Sequence, residues 1–320
     1  MATWPGILAA SLARGDLMPL CRMQASSLRS SDLLMQTVVS FFDESERIAT
    51  EIYGVGGLFG SNHATSILEL RWRDLLDRYQ IEYYKSSELS AGEGQFKKFR
   101  DDPGAKERRR FSDREREFFR KVKTDFTDAL VQSRGLTAIG AVVLVADYER
   151  FIASGEPGAS LLSRPHYIAT SLCLYEAGRQ IAMENERLPE EDKGVVYPIF
   201  DSHEVYGWHI QNDFPEFCKK NPNESRYLAN PVFESEREWI GLQPADAIVF
   251  EFAKYLENKI EHPHVPPRAP LQRMADANML SHCYLVDYHV LQVLAREQIP
   301  SPTVARGDEL FSSPEFPEPA

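Results

Sequence analysis

Cysteine is scarce in this chain, and its four copies are too scattered to form a recognised motif. Cys21, Cys173, Cys218 and Cys283 include no Cys-x-x-Cys pair, which argues against a structural zinc site of the usual spacing. Because no pair is spaced as a disulfide framework would be, a reduced chain is the simpler interpretation. We therefore expect a cytoplasmic protein.

Long apolar runs and an excess of positive charge are lacking as well. The chain has no run of about 18 or more apolar residues, so we expect no membrane-spanning helix and no membrane partner. The formal net charge is -12, which excludes a uniformly basic nucleic-acid-binding surface but permits a local basic patch. A hydrophobic content of 43% is enough for a sizeable core.

A phosphate-binding loop is also missing. Gly54, Gly56 and Gly57 crowd one predicted strand, but the Gly-x-x-x-x-Gly-Lys pattern that cradles phosphates does not occur there. Glycines inside a strand indicate either a bulge or a close approach of another chain segment. We expect one of these two local features rather than nucleotide binding.

The remaining pattern predicts an α/β domain with strands and helices alternating after an opening hairpin. Predicted strands cover 36–42, 49–58, 81–84, 136–145, 195–200 and 227–233. Predicted helices cover 62–79, 107–133, 167–183, 205–219 and 242–259. By segment, we expect a flexible extension over 1–34, the α/β domain over 35–260, a Pro-rich linker over 261–270, a C-terminal helix over 271–298 and a disordered tail over 299–320. The pattern gives no oligomeric state.

Carboxylates follow two of the apolar strands. The run Val38–Phe42 leads into Asp43-Glu44-Ser45, and the strand at 195–200 leads into Asp201. In open α/β sheets, ligands collect at the carboxyl ends of the strands. Asp246, in the predicted first turn of a helix, is a third candidate. Such carboxylates suit Mg²⁺ or Mn²⁺, although each acid taken alone is better explained as a strand end or a favoured helix start.

Four motifs occur in an order that resembles a known family. They are Asp43-Glu44-Ser45, Lys85-Ser86-Ser87-Glu88-Leu89, the strand into Asp201, and Gly241-Leu242-Gln243-Pro244-Ala245-Asp246. Over residues 35–260 they resemble the prokaryotic family known as domain of unknown function 3800, which looks like a branch of the ribonuclease-H-like fold.

The resemblance implies a ribonuclease-H-like α/β domain, a mixed sheet opened by a hairpin and flanked by helices. It also implies that Asp43, Asp201 and Asp246 bind Mg²⁺ or Mn²⁺. Glu46 stands where the family commonly has glycine, which alters the expected turn and makes Glu44 a secondary candidate.

Further candidates are less specific. Lys85 is a catalytic candidate that would contact a scissile phosphate or stabilise developing charge, with a solvated surface lysine as the competing interpretation. Additional carboxylates are Glu82, Glu88 and Asp147, and candidate hydrogen-bonding partners of the acidic cluster are Ser235 and Gln243. His203 and His209 are candidates for proton transfer, or ordinary helix-surface histidines.

A basic stretch between Lys97 and Lys123 is the candidate nucleic-acid surface. It has twelve basic and six acidic residues, a local excess of 12 − 6 = +6. Because acids interleave with the arginines, a solvated helix with internal ion pairs explains the same pattern.

Three functional hypotheses follow. The first is a divalent-metal-dependent enzyme, either a nuclease, which is a hydrolase, or a phosphodiester-transfer enzyme. The second is a non-catalytic binding or regulatory module on the same fold, in a mobile-element or phage-defence setting. The third is a metal-dependent hydrolase of a small phosphorylated substrate. Carboxylate oxygens more than about 8 Å apart would contradict a shared site for two ions about 4 Å from each other.

Overall fold

The architecture of this protein is a mixed β-sheet with helices on both faces. A computed structural model describes residues 37–47, 51–101, 111–155, 162, 164–202, 204–262, 264–280 and 282–297. Six strands form the sheet in the order β5-β4-β1-β2-β3-β6. The α/β class and the mixed sheet flanked by helices are therefore confirmed.

The centre of the sheet is an antiparallel set of three strands. β1 (Thr37–Arg47) pairs with β2 (Ile52–Ser61), which pairs in turn with β3 (Leu136–Leu144). The outer strands run parallel to their neighbours. β4 (Val195–Asp201) lies beside β1, and β5 (Val232–Glu234) lies beside β4. At the opposite edge, β6 (His282–Val286) lies parallel to β3.

Helices account for most of the remaining described residues. They are α1 (Asn62–Tyr79), α2 (Ser86–Ala91), α3 (Asp113–Val131), α4 (Val145–Ala153), α5 (Pro165–Asn185), α6 (Glu204–Lys220), α7 (Pro222–Ser225), α8 (Leu242–Glu261), α9 (Ala269–Asp276) and α10 (Tyr288–Glu297). Short 3-10 helices cover Gly94–Phe99 and Glu190–Asp192. Within the described ranges, no helix combines the length and the apolar character that crossing a membrane requires.

Side-chain alternation along β1 divides the core into two layers. Val38 and Phe42 lie in the layer that contains α5, and the Phe42 ring stacks on Phe200 of β4 with centroids 5.0 Å apart. Val39 and Phe41 face the other way and pack with the start of α8. Since successive side chains of a strand point to opposite faces, Asp43 belongs with Phe41 on the α8 side.

Several predicted boundaries differ from the structure. β1 continues past Asp43 to Arg47, with Glu46 paired opposite Tyr53, so no turn begins at Asp43-Glu44-Ser45. β2 starts at Ile52 rather than at 49, because Glu51 adopts a positive φ of 52°. The segment 81–84 is not a strand, and its hydrogen bonds go to side chains and to the end of α1.

The C-terminal part differs most from the prediction. A single helix over 271–298 is wrong, because α9, β6 and α10 occupy this segment. Asn278, with a positive φ of 55°, stands between α9 and β6. The predicted linker over 261–270 is also shorter, since α8 runs to Glu261 and α9 begins at Ala269. The predicted extension 1–34 and tail 299–320 lie outside the described residues.

A buried ion cluster joins α5 to β6. Glu176 is 0% exposed and accepts hydrogen bonds from Arg179, Gln180 and Tyr284 at 2.6–3.0 Å. Its Oε1 lies 2.7 Å from His282 Nδ1. Burial opposes ionisation of Glu176, but His282 and Arg179 outweigh it and hold its pKa well below the usual 4.5.

Replacing Arg179 with methionine should lower the free energy of unfolding by about 3 kcal/mol, because it removes one of the two basic partners of the buried Glu176 carboxylate. Urea denaturation followed by circular dichroism measures the change. Arg187→Met, at an exposed position just beyond the same helix, should stay within about 0.5 kcal/mol of wild type. Equal effects of the two variants would contradict a role for the cluster.

The stability that the Glu176 cluster contributes should also depend on pH. Because the pKa of Glu176 is depressed, this contribution is present above pH 4.5 and is lost as the pH falls further.

Candidate metal centre

Three carboxylates from distant parts of the chain converge beside the sheet. Asp43 comes from β1, Glu236 follows β5, and Asp246 lies on α8. One oxygen of each lies within 4.8 Å of the other two. Asp43 and Asp246 are each only 4% exposed, so this is a largely buried set of hard oxygen donors.

The backbone explains why Asp43 lies here. The parallel pairing of β1 with β4 ends at Phe42 and Phe200, and Asp43 and Asp201 are the next residues on the two strands. Asp43 therefore stands where the parallel pairing ends, although its own strand continues in the hairpin. The prediction that Asp43 follows the end of its strand is therefore wrong, although Asp43 does lie at the carboxyl end of the parallel β1–β4 pairing.

A glycine allows α8 to approach β1 at this point. A Cβ at Gly241 would lie 2.4 Å from the buried Phe41 ring, so only glycine fits immediately before α8. The close approach brings Asp246, one turn into the helix, to the face of the sheet that carries Asp43. Asp246 is the fifth residue of α8 rather than a member of its first turn, which corrects the predicted position.

Lys85 lies at the centre of the three carboxylates. Its Nζ is 2.8 Å from Glu236 Oε2, 3.4 Å from Asp246 Oδ1 and 3.5 Å from Asp43 Oδ2. Its side chain is 25% exposed, so one side of the cluster reaches solvent. The alternative interpretation of Lys85 as an unengaged surface lysine is therefore wrong.

The electrostatic environment shifts the protonation of these groups. Burial raises the pKa of Asp43, and Lys85 opposes this shift while Asp246 and Asp201 reinforce it. Burial likewise raises the pKa of Glu236, against the effect of Lys85. Burial disfavours the charged form of Lys85, but the carboxylates of Asp43, Asp246 and Glu236 outweigh it and raise the pKa of its ammonium.

The hydrogen bonds of the two aspartates differ. Asp246 Oδ2 accepts the backbone N–H of Ser86 at 2.7 Å, and Asp43 Oδ1 accepts the backbone N–H of Glu44 at 2.7 Å. Asp43 Oδ2 is buried and accepts no hydrogen bond from the described residues, and Lys85 at 3.5 Å is its ion-pair partner. This oxygen therefore retains capacity to bind a further ligand.

Gln243 holds the segments that carry Lys85 and Glu236. It is 0% exposed, and its Oε1 accepts from Trp72 Nε1 and from the backbone N–H of Tyr84, both at 3.0 Å. Its Nε2 donates to the backbone carbonyl of Glu236 at 2.8 Å. The predicted hydrogen bonding of Gln243 to the acidic cluster thus acts through backbone groups next to the cluster, not through the carboxylates.

Asp201 lies beside the close group rather than in it. It ends β4, and its Oδ1 accepts the backbone N–H of Ser202 at 3.0 Å. It is close enough to contribute to the raised pKa values of Asp43 and Glu236. The residue that completes the close group is Glu236, which the sequence interpretation missed. Glu236 lies two residues after the end of β5, and an acidic residue just beyond a strand is the sequence pattern that could have identified it.

The remaining candidates lie elsewhere. Glu82 is exposed, and Glu88 accepts from Tyr83 at 2.8 Å. Asp147 is in α4, where it pairs with Arg150 and accepts the N–H of Tyr288. Ser235 Oγ accepts the N–H of Arg237 at 3.3 Å.

Glu44 and His209 are not part of the cluster either. By side-chain alternation, Glu44 belongs to the sheet face opposite Asp43. His209 stacks on His166, 4.8 Å between centroids, and contacts Arg164. His203 lies outside the described residues.

The basic stretch is partly engaged in ion pairs. Arg116 pairs with Asp113, and Lys121 pairs with Asp125 at 2.9 Å. Lys123 is half-buried and pairs with Glu251 at 3.2 Å. Residues 102–110 lie outside the described part of the chain. The described contacts are those of a solvated amphipathic helix, and nucleic-acid binding by this stretch stays a prediction.

Comparison with known proteins gave no relatives from which a role can be transferred: no family model, no curated protein and no solved structure matches this chain.

Proposed function

We propose that this protein is a divalent-metal-dependent enzyme that cleaves or transfers phosphodiesters, with a ribonuclease-H-like architecture. The observation that carries the proposal is the convergence of Asp43, Glu236 and Asp246 within 4.8 Å at the end of the β1–β4 pairing. All three donors are carboxylate oxygens, the type that Mg²⁺ and Mn²⁺ prefer.

The sheet order supports the architecture. An antiparallel β1-β2-β3 set followed by β4 and β5, both parallel to β1, is the strand arrangement expected of a ribonuclease-H-like sheet. β6 is an addition at the β3 edge. Because one fold hosts many activities, the carboxylates and not the fold carry the functional proposal.

The donor set fits a divalent cation on two counts. Three carboxylates and one ammonium leave a formal charge of -3 + 1 = -2, and the buried Asp43 Oδ2 has no hydrogen-bond donor among the described residues. Asp43, Glu236 and Asp246 would hold the ion, with Asp201 adjacent. When bound, such an ion activates water and stabilises the leaving oxygen of a phosphodiester.

The residues around the ligands supply orientation. Ser86 N–H fixes Asp246, and Glu44 N–H fixes Asp43, so each aspartate directs its other oxygen towards Lys85. Gln243 hydrogen-bonds the backbone of both Glu236 and Tyr84, the neighbour of Lys85, and so fixes the distance between the segments that carry Glu236 and Lys85. Cleavage needs this preorganisation, because ligands held in place lose little entropy on binding the ion.

The direct test incubates the purified full chain with labelled single-stranded DNA, duplex DNA, RNA and an RNA–DNA hybrid. We expect products from at least one substrate with Mn²⁺ or Mg²⁺ and none with EDTA, scored on a denaturing gel. Absence of metal-dependent cleavage on all four would reject the nuclease proposal. A small phosphorylated ester assayed in parallel distinguishes the third hypothesis.

A non-catalytic binding module is the second candidate, and one observation favours it. Lys85 already neutralises part of the cluster, as expected of a structural ion network that holds β1, α8 and the residues after β5 together. Under this alternative, Mn²⁺ neither binds nor raises the melting temperature. A titration of the wild-type protein with Mn²⁺ separates the two candidates.

A further inference from the structure

We propose that Lys85 competes with the divalent cation for the centre of the carboxylate cluster, so that metal binding requires displacement of its ammonium. This inference rests on the proposed function, since it concerns how the same site is regulated. The lysine is then a built-in occupant that sets the metal concentration at which the site fills.

The distances show that the ammonium already uses the oxygens that a bound ion would need. The Lys85 ammonium contacts Glu236 Oε2, Asp246 Oδ1 and Asp43 Oδ2 at 2.8–3.5 Å. A Mg²⁺ ion binds carboxylate oxygens at about 2.1 Å. An ion bound to the same three oxygens would share each of them with Nζ, and both carry positive charge. The repulsion between them favours displacement of the ammonium when the ion binds.

The charges favour exchange of the Lys85 ammonium for a divalent cation over permanent occupation of the cluster by the lysine. With Lys85 in place the three carboxylates retain a formal charge of -2, and Asp201 adds a further negative field at Asp43 and Glu236. A divalent ion neutralises more of this charge than a monovalent ammonium does. The side chain of Lys85 is 25% exposed, so the ammonium has a route to solvent while its backbone stays in place before α2.

A second buried carboxylate in the same protein shows the contrast. Glu176 has both oxygens engaged by hydrogen-bond donors, as expected of a permanent structural cluster. Asp43 Oδ2 instead has only the 3.5 Å ion pair with Lys85, and no hydrogen bond from the described residues. The Lys85 cluster is therefore incompletely satisfied by its lysine, which leaves free energy for a better-fitting cation.

The test measures Mn²⁺ binding to the full chain at constant pH by electron paramagnetic resonance of the free ion. Lys85→Met should bind Mn²⁺ at least about tenfold more tightly than wild type, because both the competitor and its like charge are removed. Lys85→Arg, which keeps the charge, should bind no more tightly than wild type. Lys121→Met, at the exposed pair with Asp125, is the matched control and should leave the dissociation constant unchanged.

The outcomes separate this inference from the proposed function. Tighter Mn²⁺ binding by Lys85→Met than by wild type supports competition. If Lys85→Met binds Mn²⁺ and wild type binds none, competition is still supported, but the proposed metal-dependent activity of the wild-type protein fails. Wild-type binding with equal or weaker binding by Lys85→Met overturns competition but leaves the metal site standing. Binding by neither protein overturns both. If Lys85→Met does not fold without metal, Lys85→Gln replaces it, and a rise in melting temperature with Mn²⁺ larger than in wild type is the required result.

Discussion

Asp43→Asn should lower metal-dependent cleavage at least about 100-fold while the fold is retained, because loss of even an indirect metal contact commonly costs 10- to 100-fold. Asparagine has the shape of aspartate but offers one neutral oxygen in place of a charged pair. The affected oxygen, Oδ2, lies 3.5 Å from Lys85 Nζ and accepts no hydrogen bond from the described residues. The measurement is the initial cleavage rate at saturating Mn²⁺.

The fold should tolerate this change. The raised pKa of Asp43 means that burying its charge opposes folding above that pKa, so a neutral amide removes a cost. The variant retains the oxygen that accepts the Glu44 N–H at 2.7 Å, and Lys85 retains its ion pairs with Glu236 and Asp246. We expect the free energy of unfolding to change by no more than about 1 kcal/mol.

The control is Asp74→Asn, which makes the same chemical change on the exposed face of α1. It should cleave at the wild-type rate. Cleavage by Asp43→Asn at a similar rate would remove Asp43 from the active site. Unfolding of Asp43→Asn in circular dichroism would instead assign the residue a structural role.

Gly57→Ala should have the largest effect on stability, at least about 3 kcal/mol, because the added methyl group has no space. Gly57 lies opposite Phe42 in the β1–β2 register. A Cβ there would be 1.6 Å from the backbone oxygen of Phe41 and 2.7 Å from its carbonyl carbon. These are main-chain atoms of the central strand, so relief requires moving β1 itself. Urea denaturation measures the loss.

The neighbouring glycine provides the matched control. Gly56 lies opposite Asp43, and its nearest contacts to an added Cβ are 3.4 Å, from Ile139 O and Val249 Cβ. Gly56→Ala should therefore cost no more than about 1 kcal/mol. Similar losses for the two variants would show that strand flexibility, rather than the clash at Gly57, determines stability.

Elements with strong local patterns were predictable from the sequence. The helix over 62–79 matches α1, and the side chain of Ser61 caps its N-terminus. The apolar helix from Leu242 and the strand into Asp201 also occur as expected. These segments bury one face or both, so the spacing of their apolar residues directly indicates which side chains are buried. Of the glycine alternatives, close packing applies at Gly57, and the β1–β2 register continues through it without interruption.

Features that depend on distant partners were not predictable in the same way. β6 spans only five residues, and its strand conformation depends on pairing with β3, more than a hundred residues earlier. Glu236 follows a three-residue strand whose place is set by β4. The position of Lys85 among the carboxylates needs β1, α8 and the residues after β5 together. Local pattern contains no information on these pairings.

The late position of β6 in the chain has a consequence for biosynthesis. Until residues 282–286 have been synthesised, the outer edge of β3 presents unpaired backbone groups between apolar side chains such as Ile139 and Val143. An exposed edge of this kind is a template for pairing with another chain. Nascent chains that stall before β6 should therefore be the aggregation-prone species, and completion of β6 protects the sheet that carries the carboxylate cluster.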